Sequence, residues 1–285
     1  MRALLARHGL TADKAFGQNF LVDRPALRAV VDAGDPGPSD TVLEVGPGLG
    51  VLTRALAERG PRVIAVELDA RLLPALRETT EGAGNVEIVH ADAVRFDHRR
   101  LPPGSLLIAN LPYAVATAIV AEALRSGRYR RLVVVVQREV AERMVASPGQ
   151  VGFGAFSLVC RHWSRPTLVR HVAPGAFLPP PKVASSIVRF EVRPEARDRP
   201  ALFTLIRDGF RHRRKTLRKN LVTAGYDADA VAVALVACGL APMIRAEALD
   251  LATWSRLAET LGVHDPGADA GAGRSGILGD DSERP

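Results

Sequence analysis

Cysteine is almost missing from this chain, two residues in 285. Cys160 and Cys238 stand too far apart for a CxxC pair, which excludes a disulfide scaffold and a zinc or dithiol redox motif and leaves two single core thiols. The seven histidines are scattered without HxxxH spacing, so no metal is expected. No GxSxG turn is present to expose a nucleophilic serine. Long apolar runs are lacking too: none approaches the roughly eighteen residues of a membrane span, and the opening MRALLARHGLTADKAFGQNF has no continuous apolar leader segment. A soluble, cytoplasmic, monomeric protein without a membrane partner is expected.

Acids are in short supply relative to bases, and the net charge is +7. Residues 263–285 hold five acids against two arginines, so the body without them carries +10. A polyanionic partner follows from that balance.

What is present is alternation. Apolar runs at 41–46, 62–69, 86–92, 106–111 and 132–137 are separated by helix-length amphipathic segments. Nearly continuous apolar strands belong to a parallel sheet covered on both faces, hence a doubly wound α/β domain. Runs at 166–172 and 185–192 have no helical spacer and flank FLPPPK, as expected of an antiparallel pair completing the sheet edge. After the polar, proline-bounded RPEARDRP, the composition turns helical. The expected organisation is an α/β domain over 1–195 with an N-terminal arm, a small all-helical domain over 196–262, and a disordered tail over 263–285.

Four strand ends carry candidate chemistry. EVGPGLG follows the first run, with Gly46, Gly48 and Gly50 at alternate positions, so the backbone can turn tightly and approach a ligand. GxGxG rather than GxGxxG suits a cofactor without phosphates to seat. Glu67, at the end of the second run, stands where doubly wound folds place an acid for ribose hydroxyls. Its alternative is a helix cap together with Asp69. Asp92 closes the third run and suits an adenine amine, or else a turn. Groups for methionine, ribose and adenine in succession fit S-adenosylmethionine.

The fourth run ends in Asn110, Leu111, Pro112 and Tyr113. An adenine N6 lone pair is delocalised into the purine and must become more tetrahedral to attack a methyl sulfonium. The Asn110 side-chain oxygen and the Leu111 carbonyl, aimed at the two N–H bonds, favour that geometry. Pro112 fixes the turn, and Tyr113 offers a stacking face for an extruded base. Phe177, on the proline-stiffened loop, is a candidate for the opposite face of the base or for a core anchor. Lys182 is a candidate phosphate contact or a solvated lysine. Arg207, Arg211, Arg213, Arg214, Lys215, Arg218 and Lys219 crowd thirteen positions with Asp208 as the one acid, which favours phosphate binding.

In order and spacing, FGQNFL, VLEVGPGLGVLT, VIAVELD, ADA, NLPY, VVVVQREVAERM, FLPPPKV and RRKTLRKNL resemble the ribosomal small-subunit RNA adenine N6-dimethyltransferases, over residues 14–262. The resemblance implies a Rossmann-like fold and S-adenosylmethionine contacts at Gln18, Asn19, Leu21, Gly46, Gly48, Glu67, Leu68, Asp92, Ala93 and Asn110. It implies base contacts at Asn110, Leu111, Tyr113 and Phe177. It further implies dimethylation of two adjacent adenines in a hairpin near the 3′ end of small-subunit ribosomal RNA, on the immature subunit. The chain departs from the family pattern at Ala114, Ala116, Val151, Phe153 and Ala184, which bears on RNA fit more than on chemistry. Two alternatives stay open: a large-subunit RNA adenine methyltransferase conferring antibiotic resistance, and a non-catalytic assembly or transcription factor on the same fold.

Overall fold

The alternation becomes a seven-stranded sheet in a computed structural model, which describes residues 1–11 and 18–265. The strands are β1 (Phe20–Leu21), β2 (Thr41–Val45), β3 (Arg62–Glu67), β4 (Val86–His90), β5 (Ser105–Asn110), β6 (Tyr129–Gln137), β7 (Ser164–Val172), β8 (Phe177–Leu178) and β9 (Ser185–Val192). The large sheet runs β4-β3-β2-β5-β6-β9-β7, and β1 pairs separately with β8. Pairing is parallel from β4 through β6 and antiparallel from β6 to β9 and from β9 to β7, so the two helix-free runs do complete one edge.

Burial explains the strand sequences. The interior strands β2, β3, β5 and β6 are almost wholly buried, as strands covered on both faces must be, whereas the edge strand β4 alternates between half-buried and exposed. Strand order reverses beside β2: β3 and β4 step away on one side, and the chain returns to lay β5 on the other. That reversal opens a crevice at the carboxyl ends of β2 and β5, the place where open α/β sheets bind ligands.

The chain divides into two compact units, Met1–Val145 with Trp163–Pro194, and Ala146–His162 with the chain from Glu195 on. Residues 146–162, read from sequence with the α/β domain, thus join the second unit. Phe153 there is buried and stacks edge-on against Phe210, with ring centroids 6.3 Å apart. The second unit's core gathers around a fully buried Trp254.

The basic run is not one helix, as its composition suggested, but a helix over Pro200–Gly209, a turn, and a helix over Leu217–Thr223. Asn220 holds the turn by donating from Nδ2 to the Gly209 carbonyl at 2.6 Å and to the His212 carbonyl at 3.1 Å. Thr216 caps the second helix by accepting from the Lys219 amide. At the other end, the expected tail begins later than 263. Asp265 accepts from the Ala201 amide at 2.6 Å and pairs with Arg199 at 3.2 Å, placing an anion at the N-terminus of the Pro200–Gly209 helix. The expectation of disorder over 266–285 lies outside the described residues, as do Phe16 and Gly17 of the FGQNFL motif. Among the described residues no helix is long and apolar enough to cross a membrane.

Gly209 is required by packing rather than by backbone angle: a Cβ there would overlap the Trp254 ring and come within 3.0 Å of Leu217 Cδ1. Gly209→Ala should cost about 1–3 kcal/mol, the range for overpacking, read as a lower urea midpoint with unchanged slope. An unaltered midpoint would show that the Trp254 ring yields freely.

Candidate active site

The crevice is a cavity of about 410 Å³. Its floor is the glycine loop after β2. Gly46 and Gly48 have φ of 64° and 58°, in the region where side chains are strained. A Cβ on Gly48 would also stand 2.8 Å from two carbons of the Phe20 ring. The loop is closed by Gly46 N–H donating to the Val66 carbonyl at 3.0 Å.

Glu67 ends β3 and is buried. Its Oε2 accepts from the Gly48 amide at 3.0 Å and its Oε1 from the Asp69 amide at 2.9 Å. Burial pushes its pKa up, with those backbone donors opposing the shift. Each carboxylate oxygen keeps a second lone pair, so the same group that holds the glycine loop can accept from a hydroxyl in the cavity. Asp69 is the cap of the turn Ala70–Leu72. Its carboxyl is held below the usual range by the Arg71 guanidinium at 2.8 Å. Gln18, from the N-terminal arm, donates to Asp69 Oδ2 at 2.8 Å.

Asp92 uses one oxygen as a turn residue, accepting from the Val94 amide at 2.9 Å, and also lines the cavity beside Ala93. The turn reading is thus met by Oδ1. The apolar side chains Leu68 and Val94 are 52% and 46% exposed and also line the cavity. Together they offer apolar contact to a flat ring. Val94 carries no sequence signal; only its place after the Asp92 turn brings it there.

Asn110 supplies the polar feature of the opposite wall. Its Nδ2 donates to the Asn19 carbonyl at 2.9 Å, which fixes the amide, and its Oδ1 is buried without a partner among the described residues. An unpaired buried acceptor costs on the order of 1–3 kcal/mol, and here it belongs to a cavity-lining residue. Leu111 is tied to β6 through its amide, 3.1 Å from the Val135 carbonyl. Tyr113 hydrogen bonds through its hydroxyl to Ser185 Oγ at 2.7 Å, and burial raises its pKa.

Several expected residues lie elsewhere. Leu21 pairs with Phe177 and Phe20 with Leu178 in the β1–β8 ribbon. Side chains alternate along a strand, so Phe20 faces the cavity while Leu21 and Phe177 enter the core. Phe177 is 2% exposed, which matches the core-anchor reading and not a stacking face. Asn19, by contrast, lines the cavity and contributes its carbonyl to Asn110. Lys182 is exposed on the loop before β9 and does not line the cavity. Arg211, Arg213, Arg214, Lys215, Arg218 and Lys219 are all exposed in the second unit.

Fold and cavity together define the class: a doubly wound, Rossmann-like methyltransferase. A family model described as ribosomal RNA adenine dimethylase matches residues 9–261, and the chain belongs to that family. It is 44% identical over 264 residues to the ribosomal RNA small subunit methyltransferase A of Deinococcus radiodurans, covering 92% of this chain and 90% of that protein. Among solved structures, a dimethyladenosine transferase from Plasmodium falciparum matches with TM-score 0.72 and 24% identity over 86% of this chain and 99% of that one. The 23S rRNA methyltransferase ErmE matches with TM-score 0.69 and 28% identity, over 86% and 100%.

One buried acid lies under the site without lining it. Glu44 in β2 is 1% exposed, and burial pushes its pKa to about 8, with nearby Glu67 adding to the rise. Its folded value lies above the ordinary 4.5, so the folded chain binds the extra proton. The stability this represents is fully present below about pH 4.5 and is lost as pH rises through about 8. At about 1.4 kcal/mol for each tenfold change in ionisation constant the loss is several kcal/mol. Glu44→Gln should therefore flatten the fall in melting temperature between about pH 5 and pH 9 relative to the parent. Parallel curves would place the proton elsewhere.

Proposed function

We propose that this protein transfers methyl groups from S-adenosylmethionine to the N6 amines of two adjacent adenines in small-subunit ribosomal RNA, in the cytoplasm and as a monomer. Membership of the adenine dimethylase family supports the reaction, and 44% identity to a small-subunit methyltransferase supports that substrate over the large-subunit one. The observation that carries the chemistry is the buried, unpartnered Oδ1 of Asn110 on the cavity wall.

The residues fit the cofactor. Gly46 and Gly48 leave room for a close approach of the methionine portion, Glu67 keeps lone pairs for ribose hydroxyls, and Asp92 with the apolar Leu68 and Val94 suits an adenine ring. When bound, S-adenosylmethionine supplies an electrophilic methyl group.

The chain's own part is orientation. Asn110 Oδ1 accepts one N–H of the target amine and the Leu111 carbonyl the other. Both acceptors favour a tetrahedral nitrogen whose lone pair is free for attack. Tyr113, fixed by Ser185, stacks on the extruded base. Holding the nitrogen in line with the methyl group is worth on the order of 7–11 kcal/mol. Once methylated, the amine nitrogen is transiently cationic and sheds its proton to water, so the scheme needs no titrating base. RNA affinity comes from the exposed cations of the second unit's turn.

Asn110→Ala should lower methyl transfer by at least about a hundredfold while leaving cofactor affinity within a few-fold, measured by tritiated-methyl incorporation and by calorimetry. Unchanged turnover would remove Asn110 from the reaction. Neutralising Arg213, Arg214 and Lys215 together should reduce the slope of log K against log salt by about 2 to 3. An identical slope would return that cluster to ordinary solvated surface.

A further inference from the structure

The proposal above leaves unused the outer edge of the first unit's sheet. On β7, Arg165 and residues 167–171 are exposed, and the strand contains no acid. Arg165 pairs with Glu191 and Thr167 with Arg189, after which the register slips between Leu168 and Arg170, so that Arg170 pairs with Ile187. Side chains alternate, so Glu191, Arg189 and Ile187 share one face of β9. In a regular strand Arg165 and Arg170, five residues apart, would point to opposite faces. The extra residue resets the alternation and brings both onto one face, the re-aiming that a β-bulge performs.

Ile187 and Val172 on that face enter the core, and the exposed β7 charges beside them are cationic. The acid of that face, Glu191, is already taken by Arg131 at 2.8 Å and Arg189 at 3.1 Å. Arg165 and Arg170 have no ion pair among the described residues. The stripe from Arg165 to Arg170 matches four steps of the partner strand, Glu191 to Ile187, and runs about 13 Å at 3.3 Å per residue.

Its position is equally specific. Val172, two residues after Arg170, pairs with Ser185, whose hydroxyl holds Tyr113. Arg170 is thus about 7 Å along the strand from the residue opposite Ser185, within a nucleotide or two of the base site. We infer that β7 is a second RNA-contacting surface, on which Arg165 and Arg170 bind phosphates of the strand flanking the extruded base. This rests on the reading of the chain as an RNA methyltransferase. The competing role of such charges, keeping an edge strand from pairing with another copy, demands neither a shared face nor a place beside the base site.

The test uses the full chain and a fluorescent, unmethylated small-subunit RNA hairpin, with binding followed by anisotropy across a salt series. R165Q/R170Q should bind about tenfold more weakly near 0.1 M salt and lower the salt slope by about 1.5, the effect of two lost phosphate contacts. R165K/R170K should bind within about twofold of the parent. Cofactor affinity and melting temperature of both variants should match the parent, since neither arginine lines the cavity. A Gln pair with the parent's slope overturns the inference, and does so with particular force if that variant also self-associates, which would assign the charges to edge protection. A parent chain that binds the hairpin with a β7-dependent slope but transfers no methyl groups would overturn the assigned reaction and leave this surface standing.

Discussion

One hydrogen bond, from Asn110 Nδ2 to the Asn19 carbonyl, decides what the cavity can hold. An unconstrained amide would turn to satisfy whichever end needed a partner. Here the nitrogen is committed to the N-terminal arm, and the oxygen is left buried and unsatisfied. The amide thus commits its donor and leaves its acceptor unpaired among the described residues, on a cavity-lining residue at the end of β5, directly across the strand-order reversal from the glycine loop of β2. The glycine loop, Glu67 and Asn110 share this opening because the sheet reverses there. The glycine loop is in turn held by Glu67, whose carboxylate accepts the Gly48 amide. The arm that fixes Asn110 is anchored through Gln18 to Asp69, two residues beyond Glu67. A small number of mutually dependent bonds thus define both ends of the site.

Much of the fold was legible in the sequence because interior parallel strands must be apolar on both faces, and the runs ending at Glu67 and Asn110 announce themselves by that continuity, whereas the edge run before Asp92 shows it less. What could not be read is whatever depends on partners distant in sequence or on register. Asn110 and its Asn19 partner are 91 residues apart. The fate of Phe177 hinges on which of two residues in a short ribbon faces inward, and a phenylalanine on a proline-rich loop gives no sign of it. Strand pairing with Leu21 commits the ring to the core and hands the cavity wall to Phe20, which pattern reading had passed over. The basic run reads as helical from its composition, yet the Asn220 amide closes a turn through two carbonyls that composition does not reveal. Likewise Glu44 reads as part of a glycine-loop motif and proves to be a buried acid.

The cations fall into two sets with different structural support. Those from Arg211 to Lys219 occupy a turn and the start of a helix in the second unit, fixed by Asn220 and Thr216 from within. Those on β7 depend on a bulge and on a sheet register shared with Ser185. In neither set does a neighbouring acid quench the charge, which is unusual for solvated surface and consistent with a polyanionic ligand. Phosphate contacts of this kind position a nucleic acid without reading it. As proposed, they would account for affinity and its salt dependence but not for which base enters.

Selection of the base then falls to polarity inside the cavity. A base that presents a carbonyl where adenine presents its amine, as guanine and uracil do, would set a lone pair against Asn110 Oδ1. It would lose both hydrogen bonds and leave the acceptor as unsatisfied as in the empty site. Sites built around a required hydrogen bond reject ligands lacking it by roughly 10⁴-fold or more, far beyond what apolar contacts with Tyr113 could achieve. Cytosine also carries an amine, but as a single ring it offers less surface for stacking on Tyr113 and places its amine at a different distance from the sugar. On the proposed reading the unsatisfied oxygen is a cost to the free protein that would serve as its means of discrimination, held in place by the bond from Asn110 to Asn19.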